Sequence, residues 1–207
     1  MVRGAIIPAT QACIRAAGRR RFGLLRWLPV EGLVRSAVGF LALDYTMYWW
    51  HRALHGWRPL WRFHAVHHAD RDLDATTALR FHAGELACSL PFRCAQVIAL
   101  GVEPSLALRY EITMQAAALF HHSNIRLPVG VEEMLSQIIV TPRLHGVHHS
   151  VETRDLHSNW SVVFSFWDRL HGTRRMRASQ PVIGLAAADA PPGVPPTTCD
   201  KWSPPQR

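Results

Sequence analysis

Two stretches decide the reading of this chain: "WRFHAVHHADRD" at residues 61–72 and "PRLHGVHHSVET" at residues 142–153. Each carries an H-x-x-H-H triple with valine before the paired histidines. The first supplies His64, His67 and His68, the second His145, His148 and His149. On a helix, positions i, i+3 and i+4 are neighbours on one face. Two imidazole nitrogens that meet one metal ion at about 2 Å need that spacing, which a run of adjacent histidines does not give. A third cluster, "HRALH" at 51–55, sets His51 and His55 one helical turn apart.

Thirteen histidines in 207 residues are far above ordinary usage, and most sit in clusters. A lone histidine on an apolar face is usually a satisfied core residue, whereas eight in three spaced clusters point to metal binding. All-imidazole ligation suits iron, copper, zinc or nickel. So many ligands exceed what one tetrahedral zinc needs, which argues for two ions sharing one site.

The length suits one domain. The formal charge of +8 is carried almost wholly by arginine, because Lys201 is the single lysine. A basic balance can serve nucleic acid or an anionic membrane surface. No nucleic-acid reader motif is present, and the arginines lie beside apolar stretches rather than among stacking aromatics, so no nucleic-acid partner is expected. Cys13, Cys88, Cys94 and Cys199 show no CxxC pairing and read as small apolar residues in a reducing setting. Nothing at the start resembles a cleavable signal.

Three apolar stretches are about as long as a membrane span: Val34 to Trp50, Gly84 to Gly101 and Pro104 to Phe120. Each carries ionisable residues that lipid tolerates poorly. Gly101 and Pro104 punctuate the last two into a helical hairpin that returns the chain to the side it left. Trp49, Trp50, Trp57 and Trp61 crowd the end of the first stretch, as an aromatic belt at a lipid boundary would. The segment Pro128 to Thr141 reads as an amphipathic piece lying against the domain or the interface. The Ala/Pro-rich end, residues 178–207, is predicted to be disordered.

HRALH, HAVHH, HGVHH and the closing "SNWSVVFSFWDRLHGT" together resemble the fatty acid hydroxylase and sterol desaturase superfamily of membrane di-iron oxygenases, in its bacterial sterol-desaturase-like branch. The resemblance covers roughly Ala42 to Thr173. It implies an all-α integral membrane bundle with a cytosolic histidine-rich cap holding a dimetal site, in a multi-pass protein of the cytoplasmic membrane with that site facing the cytoplasm. It places a hydroxylase-like membrane domain at 34–177, after a basic N-terminal segment at 1–33. It also implies two iron ions, with zinc an alternative occupant on isolation, and O2-dependent hydroxylation or desaturation of a fatty acyl, sterol-like or carotenoid lipid. Electrons would come from a donor such as a ferredoxin or a cytochrome b5-type reductase chain.

Carried over by motif, the metal ligands are His51, His55, His64, His67, His68, His145, His148 and His149, joined by His82 in "LRFHAGE" and His122 in "HHSN". Ala83 stands where relatives have proline, His157 where aspartate is common, and Ala118 where some hydroxylases carry a further histidine. His121 and His171 are read as non-ligands. Asp44, two turns before His51, is a candidate to brace a metal-binding imidazole or to line the substrate entrance, or else a buried polar contact within the bundle. Glu85, Asp155 and Asp168 are candidates to orient imidazoles. If the first apolar stretch spans alone, the arginines of the opening residues fall on the outer side, against the positive-inside tendency, so the expectation is either a truncated chain or opening residues that re-enter the membrane or lie along its surface. A non-redox membrane metal-binding protein is the alternative that the same histidines would serve.

Overall fold

The apolar stretch from Val34 runs on as a 25-residue helix, α2 (Gly32–Gly56), preceded by α1 (Val2–Arg19). A short break at Trp57 turns the chain into α3 (Arg58–His68), with Pro59 in its first turn, where the missing N–H costs nothing. The predicted hairpin follows as α4 (Ala83–Leu100) and α5 (Pro104–His121). Four short helices follow among the described residues: α6 (Val129–Leu135), α7 (Pro142–His148), α8 (Thr153–Leu156) and α9 (Phe166–Leu170). This computed structural model describes residues 2–19, 22–177 and 181–197. Among them the fold is all-α, with isolated bridges at Ile139–Phe164 and Ser150–Ile183 in place of strands.

The hairpin turn relies on glycine. Gly101 caps α4 in the left-handed region at φ 70°, and a Cβ there would lie 2.7 Å from the Cα of Gly23. That close approach seats the link between α1 and α2 against the turn. Leu43, Met47, Val97, Leu106 and Tyr110 form the core where α2 meets the hairpin, each buried side chain of this kind contributing about 1.5–3 kcal/mol.

The structure bears on three of the expectations. No helix among the described residues is long and apolar enough to cross a membrane. The 18 residues of α4 and of α5 give roughly 27 Å at 1.5 Å per residue, and charged side chains interrupt both. Of the basic opening segment, α1 packs its Ile6, Thr10, Ile14 and Ala17 face into the bundle and Gln11 donates to the Pro104 carbonyl at 2.9 Å. The end of the chain, read as disordered, is ordered from 181 to 197. Leu185 is fully buried with Ala65 and Leu156, and the Trp61 indole donates to the Asp189 carbonyl at 2.8 Å. The rest of that expected tail, with Cys199, lies outside the described residues. Of the tryptophan belt, Trp49 and Trp57 are exposed, while Trp50 stacks on Phe92 and Trp61 packs beside His55.

Candidate metal centre

The hairpin and the short helices bring the histidine clusters to one end of the bundle. α4 starts there and α5 finishes there. α2 ends in His51 and His55, α3 in His67 and His68, and α7 carries the second triple, its N-terminus capped by the Thr141 hydroxyl accepting from the Leu144 amide.

Nine of the ten expected ligands fall into two adjoining groups. His51, His55, His64, His68 and His148 form one, and His67, His122, His145 and His149 the other, with the candidate donor nitrogens of each group within 4.8 Å of one another. The doubled triple now has a geometric explanation. In each copy the i and i+4 histidines stay together while the i+3 histidine crosses to the neighbouring group. His64 and His68 share the first group and His67 joins the second; His145 and His149 share the second and His148 joins the first. The His68 and His149 rings stack at 4.2 Å where the groups meet.

Four of these imidazoles have one nitrogen bound to main-chain carbonyls. Nδ1 of His51 meets Trp160 O at 2.9 Å, His67 meets Arg80 O at 3.2 Å, His122 meets Ala118 O at 2.7 Å, and His148 meets Ser158 O at 2.7 Å. A carbonyl only accepts, so each Nδ1 carries the proton and, in the neutral ring, each Nε2 presents a lone pair. Yet His51 and His148 face each other Nε2 to Nε2 at 3.1 Å, and His67 and His122 at 3.0 Å. Lone pairs so opposed repel unless a cation lies between them. Two nitrogens about 2.0–2.1 Å from one ion, at angles between square and tetrahedral, stand about 2.9–3.4 Å apart. Among the described residues, both nitrogens of His55 and of His68 are buried without partners, a cost that coordination would remove. The residues therefore fit two metal ions.

Burial and neighbouring imidazoles hold the rings neutral. Desolvation first, then the nearby His64, pushes His51 down to about 3. Desolvation likewise drives His55, His67, His68, His145, His148 and His149 well below the ordinary histidine range, with adjacent imidazoles adding to it.

The other named residues sort by position. His82 is not brought to either group: it is exposed, its Nδ1 accepts from the Gly84 amide at 2.9 Å as the N-cap of α4, and its ring stacks on Phe63. Glu85 lies 3.1 Å from Nδ1 of His64. Asp44 touches no imidazole. Its carboxylate accepts from the amides of Val163 and Phe164, the Trp167 indole and the Tyr110 hydroxyl. Asp168 accepts from the amides of Trp160 and Ser161, so both aspartates brace the loop whose Trp160 carbonyl holds His51. Asp155 pairs instead with Arg175 and Arg177. His157 is exposed, 5.9 Å from His55 ring to ring, and His171 stacks on Tyr48. His121, read as a non-ligand, is buried with its ring 4.1 Å from that of His145. Its sequence signal was the paired histidine beside His122.

A cavity of about 520 Å³ adjoins both groups, reached by His51, His64, His67, His122 and His145. Its other walls come from α1, α2, α4 and α5 and are mainly apolar.

A helical bundle with two adjoining imidazole cages at the end of an apolar cavity defines a histidine-walled candidate metal protein. The fatty acid hydroxylase model matches residues 36–173, more than half of the chain, which therefore belongs to that family. The chain is 30% identical over 149 residues to alkylglycerol monooxygenase of Homo sapiens, covering 70% of this chain and 32% of that protein. It is 29% identical to ornithine lipid hydroxylase OlsE of Rhizobium tropici, over 66% of this chain and 40% of that one. It is 31% identical to very-long-chain aldehyde decarbonylase GL1-10 of Oryza sativa subsp. japonica, over 73% and 51%. The chain thus spans about a third to a half of the length of these relatives. No solved structure matches it.

Proposed function

We propose that this protein catalyses O2-dependent oxidation of lipid C–H bonds, by hydroxylation or desaturation, at two irons held by the two histidine groups. The observation that carries the reading is the apolar cavity that closes on both groups at once. Bound iron would supply the oxidising chemistry, with electrons from an external donor of the ferredoxin or cytochrome b5 kind. The chain's own part is positional. Main-chain carbonyls fix the tautomers of four imidazoles, Glu85 stands beside His64, the buried setting keeps the rings neutral, and the apolar walls hold the substrate while excluding water. Family membership, and relatives named as a monooxygenase and a hydroxylase, support the same chemistry.

The place of work in this proposal is the cytoplasmic membrane, with the metal groups on the cytoplasmic side. Exposed apolar side chains on α2 and α5, among them Leu33, Val34 and Ile112, suit contact with lipid. The test is to purify the chain with its metal, determine the elements bound, and follow O2 on adding reductant and lipid extract. Two irons per chain with lipid-linked uptake is the expected result. Full zinc occupancy without uptake would overturn the proposal in favour of a metal-binding protein.

A further inference from the structure

The cavity contains a polar feature that the metal groups do not use. Along α4, Glu85, Ser89 and Arg93 line it at successive turns; along α5, Glu111 and Gln115 line it on the way to His122. Glu85 sits beside His64, so Arg93, eight residues further, stands roughly 12 Å from the histidine end along the helix. Arg93 is 6% exposed and pairs with Glu111, while its Nη1 also lies 3.4 Å from the sulfur of Met114 and 3.5 Å from that of Met47. Among the described residues, one donor on each of two lining side chains is buried without an acceptor: Nε of Arg93 and Nε2 of Gln115. Buried donors without acceptors are costly, and both side chains belong to the wall of a mainly apolar cavity.

Resting on the lipid-oxidation reading, we propose that Arg93 and Gln115 form an anchoring subsite for the neutral oxygen acceptor of an amphiphilic lipid, a hydroxyl, ether or ester oxygen, whose apolar chain reaches the histidine end. Charge decides the class. Glu111 already balances Arg93, so the subsite is neutral as a unit. A carboxylate or phosphate beside the Arg93–Glu111 pair would meet a cation already compensated, roughly 12 Å from the histidine end, and bear a desolvation cost that a neutral oxygen avoids. An acceptor oxygen would satisfy the free donors, and a pure hydrocarbon would leave them bare. The separation of anchor from histidines would then fix which part of the chain is presented for oxidation.

The experiment is competition against tritiated methyl palmitate on the purified, metal-bound full chain. The competitors are methyl palmitate, palmitate at pH 8 and hexadecane, each corrected for partition into protein-free micelles. Methyl palmitate should compete roughly tenfold better than either of the others, the effect of hydrogen bonds that include one to a charged donor. Gln115→Leu, and separately Arg93→Met with Glu111→Leu so that no lone charge is left buried, should bring methyl palmitate close to hexadecane and leave hexadecane unchanged. Equal competition by all three probes in the unaltered chain, stronger competition by palmitate, or a preference that survives in both variants would overturn the subsite. Preference without lipid-linked O2 uptake upholds the anchor and defeats the oxidation reading; uptake without preference does the reverse.

Discussion

At the scale of the residue, the proton on Nδ1 does the organising. Donating it to Trp160, Arg80, Ala118 and Ser158 aims four Nε2 lone pairs inward, and the helix spacing divides them between two centres. Replacing His148 by alanine should cost metal in the first group and replacing His67 should cost metal in the second, each lowering the metal-to-protein ratio by about one as read by elemental analysis. Unchanged metal in both variants would count against the assignment. Acid should act through the same atoms. In the metal-free chain His51 titrates near 3 when folded against 6.5 when unfolded. Between those values the unfolded chain binds more protons, so the contribution to stability is whole above pH 6.5 and is lost as the pH falls toward 3. The melting temperature of the metal-free chain should therefore drop on acidification from pH 7 to 5, and a flat profile would show the rings to be accessible and protonated in the fold. The grouping of the two triples was legible because i, i+3, i+4 is a local rule. The place of His82 was not, because a motif is local while its capping of α4 depends on where the loop turns; nor was that of His121, whose burial against His145 is set by the arrival of α7.

At the scale of the element, apolar length and the Gly101–Pro104 break predicted α2 and the α4–α5 hairpin, since these follow from nearby sequence. The loop at 158–165 was beyond such reasoning: it is held by Asp44 from α2 and Asp168 from α9, more than one hundred residues apart. Asp44→Ala would strand the amides of Val163 and Phe164 and the Trp167 indole, at a cost of several kcal/mol. The variant should melt earlier and lose metal as His51 loosens, whereas Asp44→Asn, which keeps acceptor capacity at the side-chain oxygen, should retain more of both. Equal behaviour of the two variants, with metal unaffected, would remove the link between this carboxylate and the centre.

At the scale of the whole molecule, composition misled at the end of the chain. Alanine and proline between 181 and 197 suggested disorder, but Leu185 fills the space between Ala65 and Leu156 behind the first histidine group, and the Gly184 amide donates to the His149 carbonyl at 2.9 Å. One buried leucine and a few long-range hydrogen bonds hold the segment, and composition averages them away. Leu185→Ala should destabilise by about 2–5 kcal/mol in chemical unfolding, and an effect near zero would show that the segment does not support the cap. Ionisable residues likewise break up the apolar runs, so membrane attachment, as proposed, would rest on exposed apolar faces rather than on any one helix.

The two-centre arrangement is tested most directly by anomalous X-ray scattering at the iron edge from crystals of the iron-loaded chain. Two peaks are predicted, one enclosed by His51, His55, His64, His68 and His148 and the other by His67, His122, His145 and His149. One peak, none, or peaks at outlying histidines such as His82 or His157 would contradict the account.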